Sequence, residues 1–281
     1  HANEMTRVTG DMDFGPDAEI DWVELAVRWF DYWLKGQKNG VMDGAPVNIF
    51  VMGANKWRRE EMWPPAQAVD TDFFLHSSGG ANTPSGDGEL SLEGPGLEGP
   101  DSYVYDPRDP VMSLYLANGQ DGPFDQRMNA HRRDILVYQT APLEQAIEVT
   151  GNPVLRLHAT SDAVDTDFTV KLIDVHPDGT AINLCYGFQR ARFRNGLDET
   201  TELMTPGEVY EFDLKMLPTS NLFKIGHRIR IDISSSDYPN HDRNHNTGAD
   251  DWQDAELRAA RQTVFHDATR PSHITLPVIE G

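Results

Sequence analysis

Residues 166–184, TDFTVKLIDVHPDGTAINL, decide how the rest of this chain is read. Two arms rich in β-branched residues flank Pro177, Asp178 and Gly179. Pro presets a turn φ, Asp can bond its own backbone, and Gly reaches the left-handed region without a side-chain clash. The stretch therefore reads as a β-hairpin. The same two-residue period recurs elsewhere. Ile229, Ile231 and Ile233 alternate with Arg228, Arg230 and Asp232, and Val47, Ile49 and Val51 alternate with Asn48 and Phe50. Further strands are expected over 72–76, 103–105, 134–138, 153–160, 184–193, 208–214 and 262–266. Short strands parted by Gly, Pro and Asp turns, with no helical pattern between them, predict an antiparallel sandwich. The Gly/Ser/Pro-rich stretch 77–102 reads as a long surface connection.

One segment breaks the pattern. From Ile20 through Val23, Val27, Phe30 and Leu34 the apolar residues follow helical spacing, and Leu25, Ala26 and Trp33 widen the stripe. Asp17 is the expected cap, and Gly36 stands where a C′ glycine ends a helix. A lone helix with so wide an apolar face does not belong to a jelly roll by itself.

The composition sets the limits of the partners. The 281 residues carry 45 acidic and 24 basic side chains, a net charge of -21. Such a field repels phosphate backbones and anionic lipid, so neither nucleic acid nor membrane is expected as a partner. No apolar run approaches the ~20 residues needed to cross a bilayer, and no signal-type segment opens the chain. A cytoplasmic location is favoured, unless the natural N-terminus lies upstream. The single cysteine, Cys185, lies within an expected strand and reads as a small packed hydrophobe.

A search for chemistry finds no complete set. A serine hydrolase needs a nucleophile on a tight turn, a His base and an acid that orients it. G-x-S-x-G is absent: Ser85 precedes Gly86 but follows Thr83 and Pro84, and Ser234 to Ser236 close a strand. His241 and His245 have H-x-x-x-H spacing, but their surroundings, SSSDYPNHDRNHNTGADD, exclude the helix that would align them. Asp237, Asp242, Asp250 and Asp251 meet no calcium-loop spacing. No metal and no cofactor is expected. Trp57 and Trp63 frame WRREEMWPP, read as a loop after a strand. Together with Trp22, Trp29 and Trp33 they are expected to serve packing or an interface rather than sugar stacking.

Taken in order, several stretches are similar to one family. DFG at 13–15, WFDYWLKGQKNGV at 29–41 and VNIFVMGANKWRREEMWPP at 47–65 resemble the cocaine esterase/NonD-like serine hydrolases, a group with X-Pro dipeptidyl-peptidases and α-amino acid ester hydrolases. YDPRDPV at 105–111, residues 136–184 and GHRIRIDISSSDYPNHDRNHNTG at 226–248 extend the likeness over nearly the whole chain. The resemblance implies an α/β-hydrolase domain with a helical cap, followed by a galactose-binding-like C-terminal jelly roll. It also implies a catalytic His shortly before the final helix of the hydrolase domain, and His1 stands at that place. After Val111 the sequence Met112-Ser113-Leu114-Tyr115 departs from the family, so no substrate contacts are carried over.

The expectation is a mainly β chain. Residues 1–40 form the last loop and helix of an α/β-hydrolase domain, and residues 41–281 the jelly-roll β-sandwich. In function it is the C-terminal portion of a serine hydrolase of ester or amide bonds, with Ser and Asp upstream, His1 as base, and no activity when isolated. Its partners would be a small ester or amide substrate and the N-terminal hydrolase domain. An independent carbohydrate- or ligand-binding module braced by the helix is the alternative. The two differ on one observable: whether the apolar face of the helix is covered by the chain's own strands.

Overall fold

The computed structural model describes residues 7–114, 122–197, 201–250 and 252–279. The chain enters as a short ribbon, β1 (Val8–Thr9) with β2 (Met12–Asp13), followed by a 3₁₀ turn at Pro16–Ala18 and the helix α1 (Trp22–Lys35). A separate hairpin comes next, β3 (Val47–Val51) with β4 (Lys56–Glu60). The expected loop at Trp57 is thus a strand. Its cross-strand partner is Phe50, whose ring lies 5.3 Å from the indole. Such aromatic pairs stabilise a ribbon that has no third strand.

All remaining strands join into one sheet folded on itself. In order they are β5 (Val69–His76), β6 (Glu89–Ser91), β7 (Asp101–Tyr105), β8 (Leu136–Gln139), β9 (Ile147–Gly151) and β10 (Val154–Ser161). The hairpin strands β11 (Asp167–Val175) and β12 (Ala181–Arg190) follow, then β13 (Tyr210–Lys215) and β14 (Thr219–Phe223). The chain closes with β15 (Arg228–Ser234), β16 (Ala260–Asp267), β17 (Arg270–Pro271) and β18 (His273–Ile279). One layer runs β12-β11-β15-β8. In the other, β10 pairs with β13 along one edge and with β18 and β16 along the other. β6 joins the layers, antiparallel to β5 and parallel to β8. This is the expected jelly-roll β-sandwich.

Alternation builds the core. Phe168, Val170 and Leu172 from β11 and Ile229, Ile231 and Ile233 from β15 point inward. Leu155, Leu157, Phe212, Leu214, Ile274 and Leu276 belong to the same fully or almost fully buried cluster. Each such side chain contributes about 1.5–3 kcal/mol on burial. A slip of one residue in any of these strands would turn its whole set outward, so the pattern also fixes register. Cys185 is buried in this core, and burial pushes its thiol well above the ordinary range.

The hairpin forms where the sequence places it. Pairs run from Asp167 with Arg190 to Val175 with Ala181, with an irregularity between Leu172 and Ile173. Gly179 has φ +87°, and the His176 amide donates to Thr180 O at 2.8 Å. The second arm starts at Ala181, just after the expected turn, and runs on to Arg190 through most of the expected strand 184–193.

The segment 77–102 is not a mere surface connection. It contains β6, whose Leu90 is buried, and it buries Ala81 as well. Its glycines give way to carboxylates that bind backbone: Asp87 accepts from the amides of Ser78 and Gly80, and Glu98 from Ser77.

Candidate functional site

The candidate site is the face of α1. Asp21, not Asp17, caps the helix: its Oδ1 accepts from Glu24 N at 2.8 Å. Asp17 is held in the 3₁₀ turn begun by Pro16, and the extended Glu19 separates that turn from the helix. Gly36 ends α1 in the left-handed conformation at φ 68°, as its position demands. The return segment is stitched to the helix by Asn39, whose Nδ2 donates to Arg28 O at 2.7 Å. Arg59 on β4 donates to Asp43 O at 2.8 Å and holds the same segment against the ribbon.

No residue of α1 is buried. Val23 is 70% exposed, Trp33 57% and Leu34 78%, and Trp22, Val27, Trp29 and Phe30 are exposed too. The indoles of Trp29 and Trp33 lie 5.9 Å apart, and Trp33 meets the Tyr32 ring at 5.2 Å. Beside them a groove of about 620 Å³ opens between Trp22, Leu25 and Trp29 on the helix and Met42 and Pro46 on the return segment. Contiguous apolar surface of this kind is what interaction sites on protein surfaces are made of. Covering each half-exposed side chain is worth on the order of 1 kcal/mol.

The polar interior holds a grouping that the motif search missed. Ser77 Oγ donates to Asp101 Oδ2 at 2.5 Å and lies 3.3 Å from His266 Nε2. His266 Nε2 is also 3.0 Å from Asp101 Oδ2, and its Nδ1 is 3.2 Å from Glu98 Oε2. Serine, histidine and acid are together, yet the chemistry is not that of a nucleophile. With a carboxylate at each nitrogen, the imidazole is a double donor and carries charge. Burial opposes that charge, but the bonds to Asp101 and Glu98 outweigh it and hold His266 above its usual range. A protonated ring cannot take the serine proton. Asp101 is kept ionised because its bonds from His266, Ser77 and Tyr138 outweigh burial. The grouping ties 77–101 to β16. No local spacing foretells it, since 189 positions separate Ser77 from His266.

The other sequence candidates are placed as follows. His1 lies outside the described residues. His241 stacks on Phe188 with ring centres 4.1 Å apart, and His245 O accepts from Arg258 N in the same irregular loop. The loop is pinned from below. Asn244 donates to Asp165 and Asp167, which also hold Arg192 and Arg190.

The described residues thus form a mainly β sandwich that carries an amphipathic helix with its apolar face uncovered. Residues 39–275 match the family model described as the X-Pro dipeptidyl-peptidase C-terminal non-catalytic domain, and the chain belongs to that family. It is 43% identical to cocaine esterase from Rhodococcus sp. (strain MB1 Bresler), over 100% of this chain and 50% of that protein. Among solved structures, an aminopeptidase from a marine sediment Thaumarchaeota archaeon superposes with a TM-score of 0.83 at 28% identity, covering 98% of this chain and 47% of that one. An α-amino acid ester hydrolase gives a TM-score of 0.77 at 26% identity over 96% of this chain and 46% of that one. The chain thus spans about half the length of the relatives it matches. These relatives place it in the cocaine esterase/NonD-like group of hydrolases, as a C-terminal part.

Proposed function

We propose that this chain is the C-terminal portion of a serine hydrolase of ester or amide bonds, and that α1 docks on an N-terminal α/β-hydrolase domain. The exposed apolar face of α1 carries the reading: Trp22, Val23, Trp29, Phe30, Trp33 and Leu34 would need another body to cover them. The brace of an independent sugar-binding module would have this face against its own strands. Residues 1–40 then belong to the hydrolase domain and 41–281 to the jelly roll. The nucleophile and the orienting acid are supplied upstream. His1 is the base that takes the serine proton and returns it to the leaving alcohol or amine. What supports this role is its position, shortly before DFG and the helix.

Catalysis in isolation is the decisive experiment. The purified 281-residue chain should neither hydrolyse a p-nitrophenyl ester nor react with a fluorophosphonate. The longer protein should do both, and His1→Ala within it should lower turnover by about 10⁴-fold. Serine-dependent hydrolysis by the isolated chain would overturn the proposal.

A further inference from the structure

The inward face that runs Val170 and Leu172 on β11 and Ile229 on β15 does not stay apolar to its end. Asp174 pairs with Ile229, and Val175 with Arg228. Carrying this antiparallel register one step further sets His176 opposite His227. Asp174 and His176 are two apart, so all three fall on one side of the sheet. At the rim of the sandwich the hydrophobic row therefore gives way to one carboxylate and two imidazoles.

Their geometry is compact. His227 Nδ1 is 2.7 Å from Asp174 Oδ1, and His176 Nε2 is 3.8 Å from Asp174 Oδ2. One donor atom from each of the three lies within 4.8 Å of the other two, and the two rings are 4.6 Å apart. Asp174 is buried and His227 nearly so, while His176 is partly open to water. Asn221 Nδ2 stands 3.5 Å from Asp174 Oδ2, behind the carboxylate. A cavity of about 60 Å³ adjoins the three side chains and is bordered by Phe14 and Met52. Lys224 also borders it, but its side chain is exposed and can turn to solvent.

We propose that Asp174, His176 and His227 bind one divalent transition-metal ion, zinc above all, with water from the cavity as the fourth ligand. Two imidazoles and a carboxylate are the donor set of three-ligand zinc sites. They suit zinc, nickel or copper, and are too few in oxygen for calcium or magnesium. Tetrahedral zinc at about 2.0–2.1 Å from each donor needs donor separations of roughly 3.3 Å. The 2.7 Å contact must open slightly and the wider ones close, which a turn of the partly exposed His176 ring can supply. The cavity has room for a water, and Asn221 is placed to orient the carboxylate. The net charge of -21 raises the local concentration of any cation. Once bound, the ion would tie the β11–β12 turn to the end of the β14–β15 turn.

The test uses the 281-residue chain, stripped with chelator and titrated with Zn²⁺ by calorimetry, and with Co²⁺ by visible absorption. One Zn²⁺ per chain, a rise in Tm and the strong absorption of four-coordinate cobalt are expected. His176→Gln and His227→Gln should each weaken binding by at least about tenfold, with unchanged circular dichroism, whereas His131→Gln on the exposed surface should not. Absence of stoichiometric binding, a weak six-coordinate cobalt spectrum, or equal affinity in the two rim variants would each overturn the proposal. The cobalt arm needs no variant, so it decides even where a substitution unfolds the chain.

Discussion

His266 Nε2 and Asp101 Oδ2 face each other at 3.0 Å inside the sandwich, with neither side chain exposed to water. They belong to neighbouring paired strands, β16 and β7, and Asp101 lies opposite Val264. The contact ties the end of the glycine-rich segment to the sheet through charge.

The charge gives this contact a pH signature. His266 titrates above its ordinary value in the folded chain. Its contribution is therefore complete below the unfolded value of about 6.5 and fades as pH rises through the folded value. Asp101 is shifted down, so its own contribution holds above about 3.9 and fails as pH falls through its folded value. His266→Gln should lower Tm most between about pH 5 and 6.5. The gap to the unsubstituted chain should narrow in alkaline buffer. A gap that is constant from pH 5 to 9 would show that the ring titrates alike in the folded and unfolded chain, and that charge does not hold the contact.

The face of α1 is expected to contribute little to the stability of the isolated chain. Trp29→Glu with Trp33→Glu should change unfolding free energy by no more than about 0.5 kcal/mol per site, since both rings are exposed. The same pair should reduce binding of a hydrophobic dye and any self-association measured by light scattering. A loss of 2 kcal/mol or more, on the scale of about 0.5–3 for structural sites, would mean that the indoles are structural here.

Arg190 is the reverse case. Its guanidinium forks onto the buried Asp167 with bonds of 2.9 and 3.0 Å. Arg190→Ala leaves a carboxylate buried with Asn244 as its remaining donor, at 2.9 Å. A loss of about 3–5 kcal/mol is expected by urea unfolding at pH 7. The cost should shrink at pH 5, because burial has pushed Asp167 up to about 6 and a protonated acid needs no counter-charge.

Gly53 sits in the β3–β4 turn at φ +77°, where a Cβ would come 2.2 Å from Leu222 O. Met52 exchanges backbone bonds there with Ser220 and Leu222, which attaches the ribbon to β14. Gly53→Ala should destabilise the chain by more than about 1 kcal/mol, and hydrogen exchange should rise at Met52 and Leu222. Protection that stays unchanged at these amides would show that the ribbon is held by other contacts.

Much of this architecture was legible in order along the chain. The hairpin about Pro177-Asp178-Gly179, the Ile229-Ile231-Ile233 strand and the Gly36 helix stop all rest on local rules of period and φ, so they came out where expected. Strands β9 and β14 escaped because Thr150, Ser220 and Asn221 blur the alternation. Their polar groups are satisfied by one another, as in the 2.9 Å contact of Thr150 with Ser220. The helix cap slid from Asp17 to Asp21 because Pro16 begins a turn of its own. In 77–102 the glycines hid the order, since the bonds that create it come from Asp87, Glu98 and Asp101 side chains.

By itself the sequence determined the fold class and the lone amphipathic helix, because periodicity and turn chemistry act over a few residues, and the likeness of several whole stretches pointed to the family. Only the tertiary structure decided that the helix keeps its apolar face uncovered. It alone brought Ser77, Asp101 and His266 into one buried knot, and Asp174, His176 and His227 to one rim. Burial and charge pairing depend on which distant strands become neighbours, and no local pattern carries that information.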